Sequence, residues 1–156
     1  MLLALSSCRV NYSFTGGDVG TAKTMSVELF QARAPLATPL SSQVFTETLR
    51  DLLLAQTPLR LAQEEGDVHY SGSIIGYDVQ PVSIQANETA ALNRLTITVN
   101  VTFVNNIDPR KNAEATFSRF ADYPSTQDLL QVEETLVQEI SGQIAQDIFD
   151  RTLGTW

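Results

Sequence analysis

Cysteine is almost absent from this 156-residue chain: Cys8 is the only one, so no internal disulfide can brace the fold and stability has to come from packing. Histidine is equally scarce, with His69 alone. A single imidazole and a single thiol make a zinc site or a Cys–His nucleophilic pair improbable. Basic residues are outnumbered, 10 Lys and Arg against 18 Asp and Glu, for a formal net charge of −8. Nucleic acid requires a basic footprint, so it is not an expected partner. Overall charge also gives no pull toward an anionic surface. No apolar run approaches the ~20 residues of a transmembrane helix. The glycine-rich run Gly16-Gly17-Asp18-Val19-Gly20 lacks the Lys-Ser/Thr ending of a phosphate-cradling loop and has no strand before it. No cofactor or metal site is expected, and the enzyme reading has little to stand on.

What is present suffices for one domain. With 43% hydrophobic and 18% charged residues, a chain of this length can bury one proper core. The N-terminus carries Leu5-Ser6-Ser7-Cys8, which resembles the lipobox of bacterial lipoprotein precursors, where the cysteine is acylated and becomes the mature N-terminus. A buried or free thiol is the alternative reading of Cys8. Met1 to Leu5 supplies only the tail of an export signal's apolar region, and no Lys or Arg precedes Cys8, so either the start codon lies further upstream or the chain has been trimmed. The expected layout is a residual signal segment over 1–8, a flexible tether over 9–23, and one domain over 24–156.

Periodicity outlines that domain. From Thr24 to Gln31 the chain alternates, with Met25, Val27 and Leu29 against Ser26 and Glu28, as in a half-buried strand. Thr38-Pro39 reads as an N-cap with proline at the first helical position, and Val44, Phe45, Leu49, Leu52 and Leu53 form an apolar stripe ending before Pro58. Leu59-Arg60-Leu61 suggests a short strand, and Glu64-Glu65-Gly66-Asp67 an acidic turn. In the next strand Val68, Tyr70 and Ile74 share one face while Ile75, Tyr77 and Val79 take the other, so a bulge is expected beside Gly72 and Gly76. His69 falls opposite the apolar positions, as a surface or edge histidine. Ala91 to Val104 is the cleanest strand, and after Asn105 to Arg110 the chain returns through Ala113 to Phe120. The last helix has Ser125 as expected N-cap and an apolar face of Leu129, Val132, Leu136, Ile140, Ile144 and Ile148, with Glu133 among the residues expected to face water. Gly142 inside it is expected to permit close approach to the sheet.

The implied fold is α+β: a two-layer sandwich with two helices on one face of a mostly antiparallel four- to five-stranded sheet. The first strand–helix–strand unit should contribute one parallel pair through a right-handed crossover.

Ile84-Gln85-Ala86-Asn87-Glu88-Thr89-Ala90-Ala91-Leu92-Asn93-Arg94-Leu95-Thr96-Ile97-Thr98-Val99 resembles a signature stretch of the lipopolysaccharide-assembly lipoprotein family (LptE). Tyr12-Ser13-Phe14-Thr15-Gly16, following the lipobox, and Phe117-Ser118-Arg119-Phe120 are similar to it as well. The resemblance implies a non-enzymatic outer-membrane lipoprotein, lipidated at Cys8, that sits as a plug inside a large β-barrel translocon subunit and assists lipopolysaccharide assembly at the cell surface. Its domain would lie in the periplasm or the barrel lumen and touch the membrane through its lipid anchor only. Some members are thought to bind lipopolysaccharide directly, and Arg94, Arg110, Lys111 and Arg119 are the candidate contacts here. Dispersed solubility charges are the alternative for those four. The rival function is a generic periplasmic lipoprotein that binds a small ligand or a cell-wall component. Clustering of Asp78, Glu88 and His69 in one cleft would favour an enzyme instead.

Overall fold

The unbroken alternation of Leu95, Ile97, Val99, Val101 and Phe103 lets one long strand carry a fully buried face, and these five side chains are all buried. This strand is β5 (Leu92–Asn105) in a computed structural model that describes residues 16–82 and 91–154. Cys8, the 1–8 segment, the tether as far as residue 15 and the Ile84-to-Ala90 part of the signature stretch lie outside the described residues. β5 pairs antiparallel with β4 (Val68–Val82) on one side and β6 (Ala113–Pro124) on the other. A short helical turn over Pro109–Lys111 links β5 to β6, with the Asp108 side chain accepting from the Arg110 N–H.

The N-terminal part of the sheet runs differently. β1 (Thr24–Val27) is parallel to both β4 and β3 (Arg60–Leu61), and β2 (Gln31–Ala32) is parallel to β4. Among the described residues the sheet thus has six strands, in the order β3-β1-β4-β5-β6 with β2 beside β4. It is mixed, and contains one strand more than expected. Parallel neighbours need a crossover, and the helix between β2 and β3 provides one. The extra strand arises because the predicted Thr24-to-Gln31 run breaks in two. At the break Leu29 turns outward, 65% exposed, and Phe30 takes its place in the core. Phe30 packs edge-on against Phe45, with ring centroids 4.8 Å apart, while its N–H donates to Thr46 Oγ1 at 3.0 Å.

α1 (Pro39–Gln56) starts as the sequence predicts. Thr38 Oγ1 accepts from the Ser41 N–H, the Ser41 side chain accepts from the Thr38 N–H, and Pro39 sits where no intrahelical donor is needed. Phe45, Leu49 and Leu53 are its buried stripe. α2 (Leu129–Thr152) begins later than expected: Asp128, not Ser125, caps it, accepting from the Leu130 N–H at 3.1 Å. Its 24 residues span ~36 Å. Leu136, Val137, Ile140, Ile144, Ala145, Ile148 and Phe149 are buried on it, and both helices share one core with the sheet.

The bulge falls at Ile75, between the pairs Ile74↔Val99 and Gly76↔Thr98. One inserted residue inverts the alternation, so Tyr77 rejoins Tyr70 and Ile74 on the core face, with Val79 in line behind it, rather than facing away. Tyr77 then reaches Glu133. The carboxylate, only 7% exposed instead of facing water, accepts from Tyr77 Oη at 2.7 Å and from Thr38 Oγ1 at 3.1 Å. Burial, followed by the hydrogen bond to Glu133, raises the Tyr77 hydroxyl pKa well above the usual tyrosine range.

Gly142 makes no close approach to the sheet: a Cβ built there meets nothing within 4 Å. Gly142→Ala is therefore expected to stabilise the protein by about 1 kcal/mol, by restoring helix propensity without a clash. Thermal unfolding should show a raised midpoint. By contrast, Leu49→Ala, in the core of α1, should cost about 2–5 kcal/mol.

Candidate functional site

The helices cover one face of the sheet; the other carries the even-numbered residues of β5 and β6 and is polar. Thr98 Oγ1 and Ser118 Oγ bond across the strands at 3.0 Å, and Asn100 Nδ2 donates to Thr116 Oγ1 at 3.4 Å. At the end of this ladder Arg94 forms a two-pronged pair with Asp122, at 2.7 and 2.9 Å. Its guanidinium carbon also lies 3.7 Å over the Phe120 ring, a cation–π contact on a half-exposed aromatic. The hydrogen bond from Arg94 holds the Asp122 carboxyl below the usual range.

The four candidate cations occupy three separate places. Arg94 is on the open face. Arg119 lies opposite Ile97 in the ladder, on the helix side, and pairs with Asp147 of α2 at 2.7 and 2.8 Å. Arg110 and Lys111 sit in the turn between β5 and β6, paired with Asp108 at 2.9 Å and Asp18 at 3.2 Å. Only these last two are brought together, and each of the four has its own carboxylate. A carboxylate at each cation leaves little net positive potential for a lipid phosphate. The Asp18 carboxyl is lowered chiefly by the Gly20 N–H and next by Lys111, and the Asp108 carboxyl is lowered by Arg110.

His69 lies on the face opposite the core, where alternation put it, but it is engaged rather than free. Its Nδ1 is 2.7 Å from Ser26 Oγ on β1, and its Nε2 is 3.2 Å from Glu28 Oε1. The composition is that of a hydrolytic triad. The three groups also fasten neighbouring segments to one another. Ser26 Oγ accepts from the Gly66 N–H at 2.9 Å, which directs its own proton to Nδ1 and leaves Nε2–H for Glu28, the tautomer being assigned from this network. Serine, histidine and glutamate together tie β1 to β4 and to the acidic turn. Period-2 reading places Ser26 and Glu28 on the polar side of β1 and His69 on the polar side of β4; only the parallel register, Ser26↔His69, joins them. Asp78 lies nine residues along β4 from His69, roughly 30 Å away, so these two share no cleft. Glu88 lies outside the described residues. No group of three or more His, Cys, Asp or Glu side chains among the described residues is arranged to hold a metal ion. Among the same residues no helix is long and apolar enough to cross a membrane.

A second latch sits beside this network. Asp67 Oδ2 accepts from the Lys23 N–H at 2.8 Å and the Thr24 N–H at 3.1 Å, while the Asp67 N–H donates to Thr24 Oγ1 at 3.0 Å. The two backbone donors lower the Asp67 pKa, Lys23 first. A carboxyl lowered by folding contributes stability that is present above its unfolded value, about 3.9, and is lost as pH falls through the folded value. Asp67→Asn is therefore expected to lower the unfolding midpoint at pH 7. The gap to the unsubstituted protein should narrow in unfolding curves taken below about pH 4, where the native carboxylate is itself protonated.

Comparison with solved structures agrees with the architecture. A minor lipoprotein from Acinetobacter baumannii superposes with a TM-score of 0.51 at 17% identity, covering 84% of this chain and 90% of that one. A protein from Xanthomonas campestris gives a TM-score of 0.53 at 10% identity, over 88% and 86% of the two chains. A lipoprotein from Caulobacter crescentus gives 0.51 at 9% identity, over 82% and 87%. At such identities the likeness is one of fold. No curated protein matches the chain. The family model for lipopolysaccharide assembly, LptE, matches residues 22–152, nearly the whole described domain. The chain belongs to the lipopolysaccharide-assembly (LptE) family.

Proposed function

We propose that this protein is a non-enzymatic, lipid-anchored subunit of the outer-membrane lipopolysaccharide translocon. In this reading it acts as plug and scaffold within the large β-barrel partner. The observation that carries the reading is the family match over residues 22–152. Lipidation at Cys8, with residues 9–23 as tether and 24–156 as the domain, is part of this reading and is supported by the lipobox. The open face supports the scaffold role. A barrel lumen is polar, and the Thr98–Ser118 and Asn100–Thr116 ladder offers hydroxyl and amide groups suited to a wet contact. Scaffolding is preferred over direct lipid binding because Arg94, Arg110, Lys111 and Arg119 are each engaged by a carboxylate.

Affinity recovery of the protein from solubilised outer membranes should bring a large β-barrel with it, identified by mass spectrometry. Thr98→Arg, which places a bulky charge at the middle of the open face, is expected to reduce the recovered barrel about tenfold, equivalent to 1.4 kcal/mol, with an unchanged thermal midpoint. Depletion should impair barrel assembly and lower surface lipopolysaccharide. Normal levels of both in depleted cells would overturn the proposal.

A further inference from the structure

β3 stops at Leu61 and so covers β1 only as far as Met25, whose carbonyl accepts from the Ala62 N–H at 2.8 Å. Among the described residues no strand neighbours the outer edge of β1 beyond that point. On its inner side the Tyr70 carbonyl accepts from the Glu28 N–H at 2.9 Å, and in a parallel ladder this turns the Val27 N–H and C=O to the outer side. Among the described residues nothing bonds to them there. Among the same residues β2, which continues the same line, pairs only with β4.

Two cavities flank this edge. One, about 530 Å³, is lined by Val27, Glu28, Arg50, Glu64 and Glu65. The other, about 490 Å³, is lined by Leu29, Ala32, Pro39 and Ser42 among others and is mainly apolar. Among the described residues, two buried side-chain polar atoms lack a hydrogen-bond partner: Arg50 Nε and Ser42 Oγ, one at each cavity. Ser42, Thr46 and Arg50 stand at four-residue intervals and form one stripe of α1. The middle member is occupied, since Thr46 Oγ1 receives the Phe30 N–H. The outer two are not. They are separated by ~12 Å along the helix, the length of about four residues of extended chain.

From the uncovered Val27 edge, the two orphaned atoms and the two cavities, we propose that this groove takes an extended strand from a partner polypeptide. The incoming backbone pairs with Val27, and the Ser42 and Arg50 side chains turn toward the groove so that its polar groups satisfy Ser42 Oγ and Arg50 Nε. Backbone edges recruit backbone, because a free N–H and C=O in register are a template for one more strand. The lining sets the side chains. Glu28, Glu64 and Glu65 outnumber Arg50 at one end, which selects a basic residue, whereas exposed Leu29 with Ala32 and Pro39 at the other selects apolar ones. The inference concerns this edge and stands apart from the barrel contact assigned to the open face.

The test is amide hydrogen exchange on the full chain, with and without a short synthetic peptide of alternating valine and threonine ending in lysines. The lysine peptide is expected to slow exchange at Val27 about tenfold and to shift the signals of Ser42 and Arg50. A matching peptide ending in glutamates should do neither, and Glu64→Lys with Glu65→Lys, both at exposed positions, should invert the preference. Four outcomes overturn the proposal. Slow exchange of Val27 already in the free chain would show that a segment of the protein itself fills the groove. Protection that depends on protein concentration alone would show a second copy there. The other two are a Val27 unchanged by the lysine peptide and equal protection by both peptides.

Discussion

The arrangement of this protein depends on one inserted residue in β4. Without the bulge at Ile75, strict alternation would carry Tyr77 and Val79 to the open face. With it, Tyr77 enters the core and its hydroxyl meets Glu133 at 2.7 Å. That carboxylate also receives Thr38 Oγ1, the same atom that caps α1. The start of α1, the first turns of α2 and the far half of β4 are thereby joined at one buried oxygen. A buried carboxylate without partners is costly, so two donors in place make this junction specific as well as stable. At the other end of the sheet the Tyr70 hydroxyl meets Thr152 Oγ1 at 2.9 Å, pinning the end of α2 to β4 before the bulge. The long helix is held at both ends by tyrosines of one strand.

β4 divides the sheet into two halves of different character. Toward β5 and β6 the pairing is long and antiparallel, and its ladder is continuous apart from the bulge. Toward β1, β2 and β3 it is short and parallel, and side chains do much of the fastening: Asp67 on the Lys23 and Thr24 amides, Ser26 with His69, Gly66 with Ser26. Gly66 is fixed as glycine by proximity. A Cβ there would fall 2.6 Å from the Met25 carbonyl carbon, too close for any other residue without a backbone shift.

Most of this was legible where a single period governs a segment. β5, the α1 stripe with its Thr38-Pro39 start, the β4 bulge and the α+β class all follow from alternation and capping chemistry. The misreadings share another cause. Leu29 is turned outward because the chain shifts between β1 and β2 to seat Phe30 against Phe45, a tertiary preference that local alternation does not contain. Glu133 reads as a solvent-facing charge until Tyr77 is known to be on its side of the sheet. Ser125 and Asp128 are both sound cap residues, and only the turn held by the Gln127 N–H on the Pro124 carbonyl shows which one begins the helix. The cations fared likewise. Arg94 and Asp122 become partners through the β5–β6 register, while Arg119 and Asp147 do so only when α2 is laid across β6.

The pairing of charges bears on how an acidic protein of this size presents itself. With a formal net charge of −8, its carboxylates repel one another, yet Asp18, Asp108, Asp122 and Asp147 each lie against a specific cation. Exposed pairs of this kind add little stability apiece; their effect here is to localise charge. The open face keeps Arg94 and Asp122 neutral as a unit and presents mainly hydroxyls and amides between its ends. Three further carboxylates, Glu28, Glu64 and Glu65, stand together beside the strand edge that β3 leaves uncovered. One surface thus presents chiefly hydroxyls and amides between its charged ends, the other a group of carboxylates along an open backbone edge. Two surfaces of such different chemistry suit two different contacts, since a partner that complements one would be poorly matched to the other.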